Sequence, residues 1–397
     1  MSATILDTPA APASTRSIDL PAAGGRMERY VLTGTPVIAS APDRAFTRVA
    51  LSAAHVVADP FADADPSGPP VLDWDRTLAY RRYLTGLGLG IAEAMDTAQR
   101  GMGLDWPIAL QLIRRTLADQ PDALVFSGCG TDQLDPAEAR SLDDVVRAYL
   151  DQLDAIQALG GRVILMASRA LAAVARTPED YQSVYARVLS EADKPVILHW
   201  LGEMFDPALA GYWGTSAFEE ALETSLAVIR DNATKVDGIK ISLLDEKKEI
   251  RMRRSLPGGI RMYTGDDFNY PDLIAGDSEG HSHALLGIFD AIAPVASRAL
   301  AHLAGGEREA YDRLMAPTVP LSRLIFRSPT RFYKTGVVFM AYLNGHQPHP
   351  MMVGGQQAMR PLVDFTGIFK LADQAGLLSD PDLALERMRR FLAFYGV

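Results

Sequence analysis

The segment Val236-Asp237-Gly238-Ile239-Lys240-Ile241-Ser242-Leu243 is a short apolar run with one lysine set into it. A strand that buries one face alternates apolar and polar residues, whereas a strand covered on both faces is apolar almost throughout. Gly238–Leu243 is of the second kind and reads as a strand of a parallel sheet. Seven further runs, most of them equally continuous, lie along the chain: Arg48–Ala54, Gly88–Ala94, Ala123–Ser127, Arg162–Ala167, Pro195–Trp200, Arg261–Thr264 and His283–Ile288.

Amphipathic helices separate the runs. Leu142, Val145, Val146, Tyr149, Leu150, Leu153 and Ile156 repeat at the i, i+3, i+4, i+7 spacing of one buried stripe. Ser141 precedes that helix as an N-cap, with Asp144 three residues on. Eight strand–helix units are the natural count of a closed (β/α)₈ barrel, an α/β fold. An open doubly wound sheet is the rival, weakened because no Gly-x-Gly-x-x-Gly opens a first strand–helix turn. After residue 292 the pattern turns helical. The expected organisation is therefore a flexible N-terminal arm over 1–26, a barrel over 27–292 and a C-terminal helical extension over 293–397 packed on it.

The chain has 397 residues, 48% hydrophobic and 22% charged, enough for a large core. Its net charge of −10 disfavours nucleic acid and anionic membrane surfaces as partners. A single cysteine, Cys129, rules out an intrachain disulfide and suits a reducing cytoplasm. No run approaches the roughly 18 apolar residues that span a bilayer. The first 25 residues lack the basic-then-apolar order of a secretory signal.

Barrel enzymes place their chemistry at the C-terminal ends of the strands. Lys240 stands there on the sixth run. A buried lysine loses its charge readily, and a neutral amine attacks carbonyl carbon. The competing reading is an ion pair with Asp266 or Glu203. His199 occupies the matching place on the fifth run, as a proton relay or as a core histidine. Asp266-Asp267 after Gly265 also fits a simple turn. His281-Ser282-His283, and the set His55, His199, Glu203 and Asp266, invite a divalent metal, but no ligand spacing rule is met. No cofactor is therefore expected, with a metal as the alternative. Cys129 lies between Gly128 and Gly130, where a small residue suffices.

The order of these strand ends resembles the dihydrodipicolinate synthase and N-acetylneuraminate lyase family of Schiff-base barrels. Gly238-Ile239-Lys240 resembles its Gly-Ile-Lys, Gly265-Asp266-Asp267 its Gly-Asp-Asp, and Ser127-Gly128-Cys129-Gly130 its third-strand glycine turn. Pro195–Leu198 resembles the strand that leads to its catalytic tyrosine. The segments His55–Pro60 and Ala92–Gly101 are similar to a branch beside that family, a domain of unknown function. The resemblance covers about residues 48 to 335. Two positions depart from it. His199 stands where the family has its tyrosine, and Met95-Asp96-Thr97-Ala98-Gln99 stands where it has Gly-Thr-Thr-Gly-Glu. A carboxylate at Asp96 repels a substrate carboxylate, which favours a hydroxyl-bearing, sugar-derived carbonyl substrate instead.

The resemblance implies a class I aldolase-type lyase in which Lys240 forms an imine and His199 moves protons. Asp96, Thr97, Gln99, Arg100, His55, Glu93, Gly128, Glu203 and Asp266 are the expected substrate contacts. It also implies a homo-oligomer acting on a small-molecule carbonyl compound. The alternatives are a metal-dependent barrel isomerase, epimerase or hydrolase, and a barrel that binds a ligand without turning it over.

Overall fold

The structure is a computed structural model that describes residues 16–65 and 68–397. Ten strands occur in it. β1 (Ser17–Pro21) and β2 (Met27–Val31) form an antiparallel hairpin. β3 (Ala50–Ala53), β4 (Gly90–Glu93), β5 (Val125–Cys129), β6 (Arg162–Leu165), β7 (Val196–Leu201), β8 (Val236–Ser242), β9 (Arg261–Thr264) and β10 (His283–Leu286) follow. These eight pair in parallel, each with the next, and β10 closes on β3. All eight apolar runs are strands, and the fold is the closed barrel rather than the open sheet.

Period two decides which side chains enter the barrel. Leu51, Ala53, Ala92, Phe126, Ile164, Ile197, Tyr263 and Leu285 fill its interior. Val163, Leu165, Leu198, Ile239 and Ile241 point the other way, into the helix layer. Both sets are apolar, which is why the runs do not alternate. The outer ring comprises helices Trp74–Gly86, Trp106–Asp119, Leu142–Ala158, Pro178–Ser190, Phe218–Asp231, Glu246–Ser255, Tyr270–Ala275 and Ala293–Ala304. Ser141 caps Leu142–Ala158, accepting from Asp144 N, while the Asp144 carboxylate accepts from Ser141 N.

Ala293–Ala304, grouped by the sequence with the extension, occupies the eighth helix position. Its Ser297 hydroxyl donates to the Leu87 carbonyl at 2.7 Å, tying it to the end of the first barrel helix. Beyond it, Arg308–Met315, Thr318–Ile325, Tyr333–Leu343, Leu362–Gln374 and Pro381–Phe394 share one hydrophobic core with β10 and helix Trp74–Gly86.

The N-terminal arm needs a correction. Residues 1–15 lie outside the described residues, but Ser17–Pro21 is a strand and not a loose tail. Its Ile18 and Leu20 are buried against the C-terminal helices, and Thr366 donates to the Pro21 carbonyl at 3.1 Å. The Ala- and Pro-rich composition around these two residues hides a short amphipathic strand. Among the described residues, no helix is long and apolar enough to cross a membrane.

Candidate active site

Because Ile239 and Ile241 face the helices, Lys240 between them faces the barrel interior. It is 8% exposed. His199 of β7 and Tyr263 of β9 sit at its level in the parallel register. The same inward parity along β9 and its continuation selects Tyr263, Gly265 and Asp267. Asp267 is buried, and its carboxylate accepts the Ile288 N–H at 2.9 Å. Burial pushes the Lys240 ammonium down from its ordinary 10.5, opposed by the charges of Asp267 and Asp96. Burial pushes the Asp267 carboxyl up to about 7, opposed by the Ile288 N–H and by Lys240. Both shifts favour the uncharged forms, the free amine and the protonated carboxyl. The ion-pair reading named Asp266 or Glu203; the acids whose charges bear on Lys240 are Asp267 and Asp96.

A small inner pocket surrounds Lys240, walled by Asp96, Thr97, Phe205, Ser242, Asp267 and Tyr333. Tyr333 comes from the C-terminal helices. Its hydroxyl shares a 2.8 Å hydrogen bond with Thr97 Oγ1. Its ring stacks on Phe326 with centroids 4.3 Å apart, and Phe205 packs edge-on against it at 6.1 Å. Such aromatic pairs hold a ring in one orientation.

A larger cavity of about 580 Å³ adjoins the inner pocket, and Asp96 and Leu201 line both. Its wall includes Arg100, Asp132, Arg169, His199 and Asp206. His199 is buried, and its Nε2 lies 3.3 Å from Ser242 Oγ. Burial, and then the charge of Lys240, push the imidazole well below its ordinary value, so it is neutral at pH 7. Both arginines of the wall are already engaged. Arg100 pairs with Asp132 and donates to the Ala94 and Gly128 carbonyls and to Gln152. Arg169 pairs with Asp206.

Several expected substrate contacts are corrected by this geometry. Ala92 points inward, so Glu93 points outward, where Arg81 holds it at 2.8 and 2.9 Å and Thr116 donates to it at 2.6 Å. His55 is buried with Nδ1 at 2.8 Å from Asp290 and its ring 4.4 Å from that of Tyr80, outside both cavities. Gln99 is left-handed (φ 69°) and its amide donates to the Val353 carbonyl, fastening a C-terminal segment. Arg100 does line the outer cavity, but its donors serve Asp132, Gln152 and the strand ends. Gly128 is a packing position: a β-carbon there would stand 2.8 Å from the Ala94 carbonyl oxygen. Glu203 is exposed to solvent. Asp266 accepts from Phe268 N, Asn269 N and Asn269 Nδ2, the bonds of a turn. Of the residues proposed from sequence, Lys240, His199, Asp96 and Thr97 stay together at the two cavities, with Arg100 in the outer wall as a structural anchor.

The residues that sequence reasoning missed are Asp267, which was read with Asp266 as a turn, and Tyr333. Nothing local in Ser328-Pro329-Thr330-Arg331-Phe332-Tyr333 marks a residue bound for a barrel mouth. Cys129 is buried, and burial pushes its thiol far up, which makes it a poor nucleophile. His281 and His283 lie at the opposite end of the barrel, where Val49 N donates to His283 Nδ1. Among the described residues, no group of three or more His, Cys, Asp or Glu side chains is placed to hold a metal ion.

No curated protein matches the chain. The dihydrodipicolinate synthase of Aquifex aeolicus aligns with a TM-score of 0.62 at 10% identity, over 83% of this chain and 99% of that one. The enzyme of Cyanidioschyzon merolae, solved with lysine bound, aligns with a TM-score of 0.61 at 16% identity, over 83% of this chain and 98% of that one. At these identities the likeness is one of fold. A family model described as a protein of unknown function (DUF993) matches residues 18–397.

Proposed function

We propose that this chain, which belongs to the DUF993 family, is a lyase of the class I aldolase type that binds a carbonyl substrate as a Schiff base on Lys240. The observation that carries the reading is the placement of Lys240: inward, buried and lowered in basicity at the C-terminal mouth of the barrel. The neutral amine adds to the substrate carbonyl carbon, and loss of water leaves an iminium. The iminium withdraws electrons from the neighbouring carbons. His199, neutral in the adjoining cavity, takes the proton of a β-hydroxyl. The C–C bond then breaks, its electron pair moves onto the iminium as an enamine, and an aldehyde leaves. A substrate whose β-hydroxyl departs as water is dehydrated by the same sink.

The substrate class we favour is a sugar-derived ketone or aldehyde. Asp96, half-buried between the two cavities, suits hydroxyl groups as an acceptor. Asp105, Asp132, Asp135 and Asp206 add further acids to the outer wall, while Arg100 and Arg169 are committed to Asp132 and Asp206. A carboxylate or phosphate on the substrate would have to share Arg100 with Asp132 or Arg169 with Asp206, since each arginine of that wall already carries a carboxylate partner. The test is borohydride reduction in the presence of a panel of keto-sugars, followed by peptide mass spectrometry. A reduced adduct on Lys240 is expected with any sugar that is turned over. Turnover without such an adduct defeats the reading.

A further inference from the structure

Tyr333 is the only tyrosine lining the inner pocket, among the described residues, and it enters from outside the (β/α)₈ unit. It stands at the first position of helix Tyr333–Leu343, sandwiched between Phe326 and Phe205. Its hydroxyl is buried against the Thr97 hydroxyl at 2.8 Å, and Thr97 itself sits at the mouth of the second barrel strand beside Asp96. A core tyrosine needs a partner for its hydroxyl, and Thr97 supplies one. Packing alone does not require the pair to stand in the wall of the pocket that holds Lys240. The fifth barrel strand offers no phenol there, only His199, whose ring opens on the outer cavity.

We infer that Tyr333 is the proton donor for Schiff-base formation on Lys240, with Thr97 as the hydroxyl that orients it and passes the proton on. The inference rests on the Lys240 reading above. The Nζ lone pair adds to the carbonyl carbon, and the carbonyl π pair moves to oxygen. One proton passes from nitrogen to that oxygen, giving a carbinolamine. The Tyr333 hydroxyl then gives a second proton to the same oxygen through Thr97. The C–O bond breaks, water leaves, and the nitrogen lone pair closes the C=N bond. The products are an iminium, a tyrosinate and one water, so atoms and charge balance. On hydrolysis of the iminium the tyrosinate takes its proton back. Burial and the charge of Asp96 push the phenol well above its ordinary 10.0, which keeps the donor protonated between turnovers. The chemistry divides in space: Tyr333 and Thr97 serve the carbonyl oxygen in the inner pocket, and His199 serves the β-hydroxyl in the outer one.

The test needs no natural substrate. 2,4-Pentanedione condenses with a reactive lysine, losing one water, to an enaminone with its own near-ultraviolet band. The band is followed in the full-length protein, in Y333F, in T97V and in K240M, with thermal melts on each. The wild type forms the band, K240M does not, and Y333F forms it about 100-fold more slowly, in the range a positioned acid supplies. T97V is slowed as well, and T97S restores the rate. A purely structural role for Tyr333 would not change the pH profile, whereas loss of a general acid does. In Y333F the rate falls as pH rises because water loss then depends on solvent acid, while the wild-type rate rises with the free amine. A Y333F variant that forms the band at the wild-type rate, or with the wild-type pH profile, overturns the role of Tyr333 and leaves Lys240 standing. A wild type that forms no band overturns both.

Discussion

Gly265 and Lys240 are fitted to each other: a β-carbon on Gly265 would stand 2.6 Å from Lys240 Cε and 2.2 Å from Ser242 Oγ. Both distances are below van der Waals contact, as is the 2.6 Å to the Ile241 carbonyl oxygen, so any side chain at 265 must displace the lysine stem, the serine and the β8 backbone between them. G265A is therefore expected to shift the amine and to slow adduct formation by about 100-fold, the scale of a misplacement of about 1 Å. Trapping kinetics with borohydride check this. Wild-type trapping in G265A would mean the amine has another way of reaching its target.

His199 shares a register position with Lys240 and is uncharged at neutral pH. If it takes the β-hydroxyl proton, H199N lowers kcat by about 10² to 10⁴. The imine is formed before that step, so the borohydride adduct on Lys240 persists in H199N. Loss of the adduct together with turnover would place His199 in imine formation instead.

Glu93 and Arg81 form a fully buried ion pair away from both cavities. E93A leaves the guanidinium unpaired and is expected to destabilise the fold by about 3–5 kcal/mol. Denaturant unfolding measures that loss. Activity per folded molecule stays near wild type, because Glu93 faces the helix layer. A stable E93A with raised KM would restore Glu93 as a substrate contact.

Glu249 is buried beneath Thr264 and Ser282, which donate to it at 2.8 and 2.6 Å. Burial pushes its carboxyl from the ordinary 4.5 to about 8, against those two hydrogen bonds. The folded state thus holds a proton that the unfolded state has lost between these values. The stability this group confers is complete below pH 4.5 and declines as pH rises to about 8, by at most about 1.4 kcal/mol per pH unit. E249Q imitates the protonated acid, so its melting temperature is expected to fall less than that of the wild type between pH 5 and pH 8. Parallel melting curves across that range would refute the shift.

Much of the site was unreadable from the chain for identifiable reasons. Glu93 and Ala92 are adjacent in a run that looks uniformly buried, and burial alone does not say which of the two enters the barrel. Asp266 and Asp267 are adjacent acids in the same turn motif. Only the parity carried over from Tyr263 and Gly265 sends Asp267 towards Lys240 and leaves Asp266 to cap the turn. His55 and Gln99 stand close to strand ends, yet Asp290 and the Val353 carbonyl, distant in sequence, claim their polar atoms.

The sequence by itself determined the eight strands, their burial on both faces and the position of Lys240 on the sixth of them, while the choice of a closed ring over an open sheet was left to the tertiary structure. These follow from local apolar runs, turn residues and helix periodicity, which act within a few residues of each position. Tertiary structure decided what surrounds the lysine. Tyr333 reaches Thr97 only because the C-terminal helices pack against β10 and the first barrel helix, and the β1–β2 hairpin completes that layer. Side chains that meet through packing carry no shared local pattern, so Lys240 was legible from the chain and the phenol lining its pocket was not.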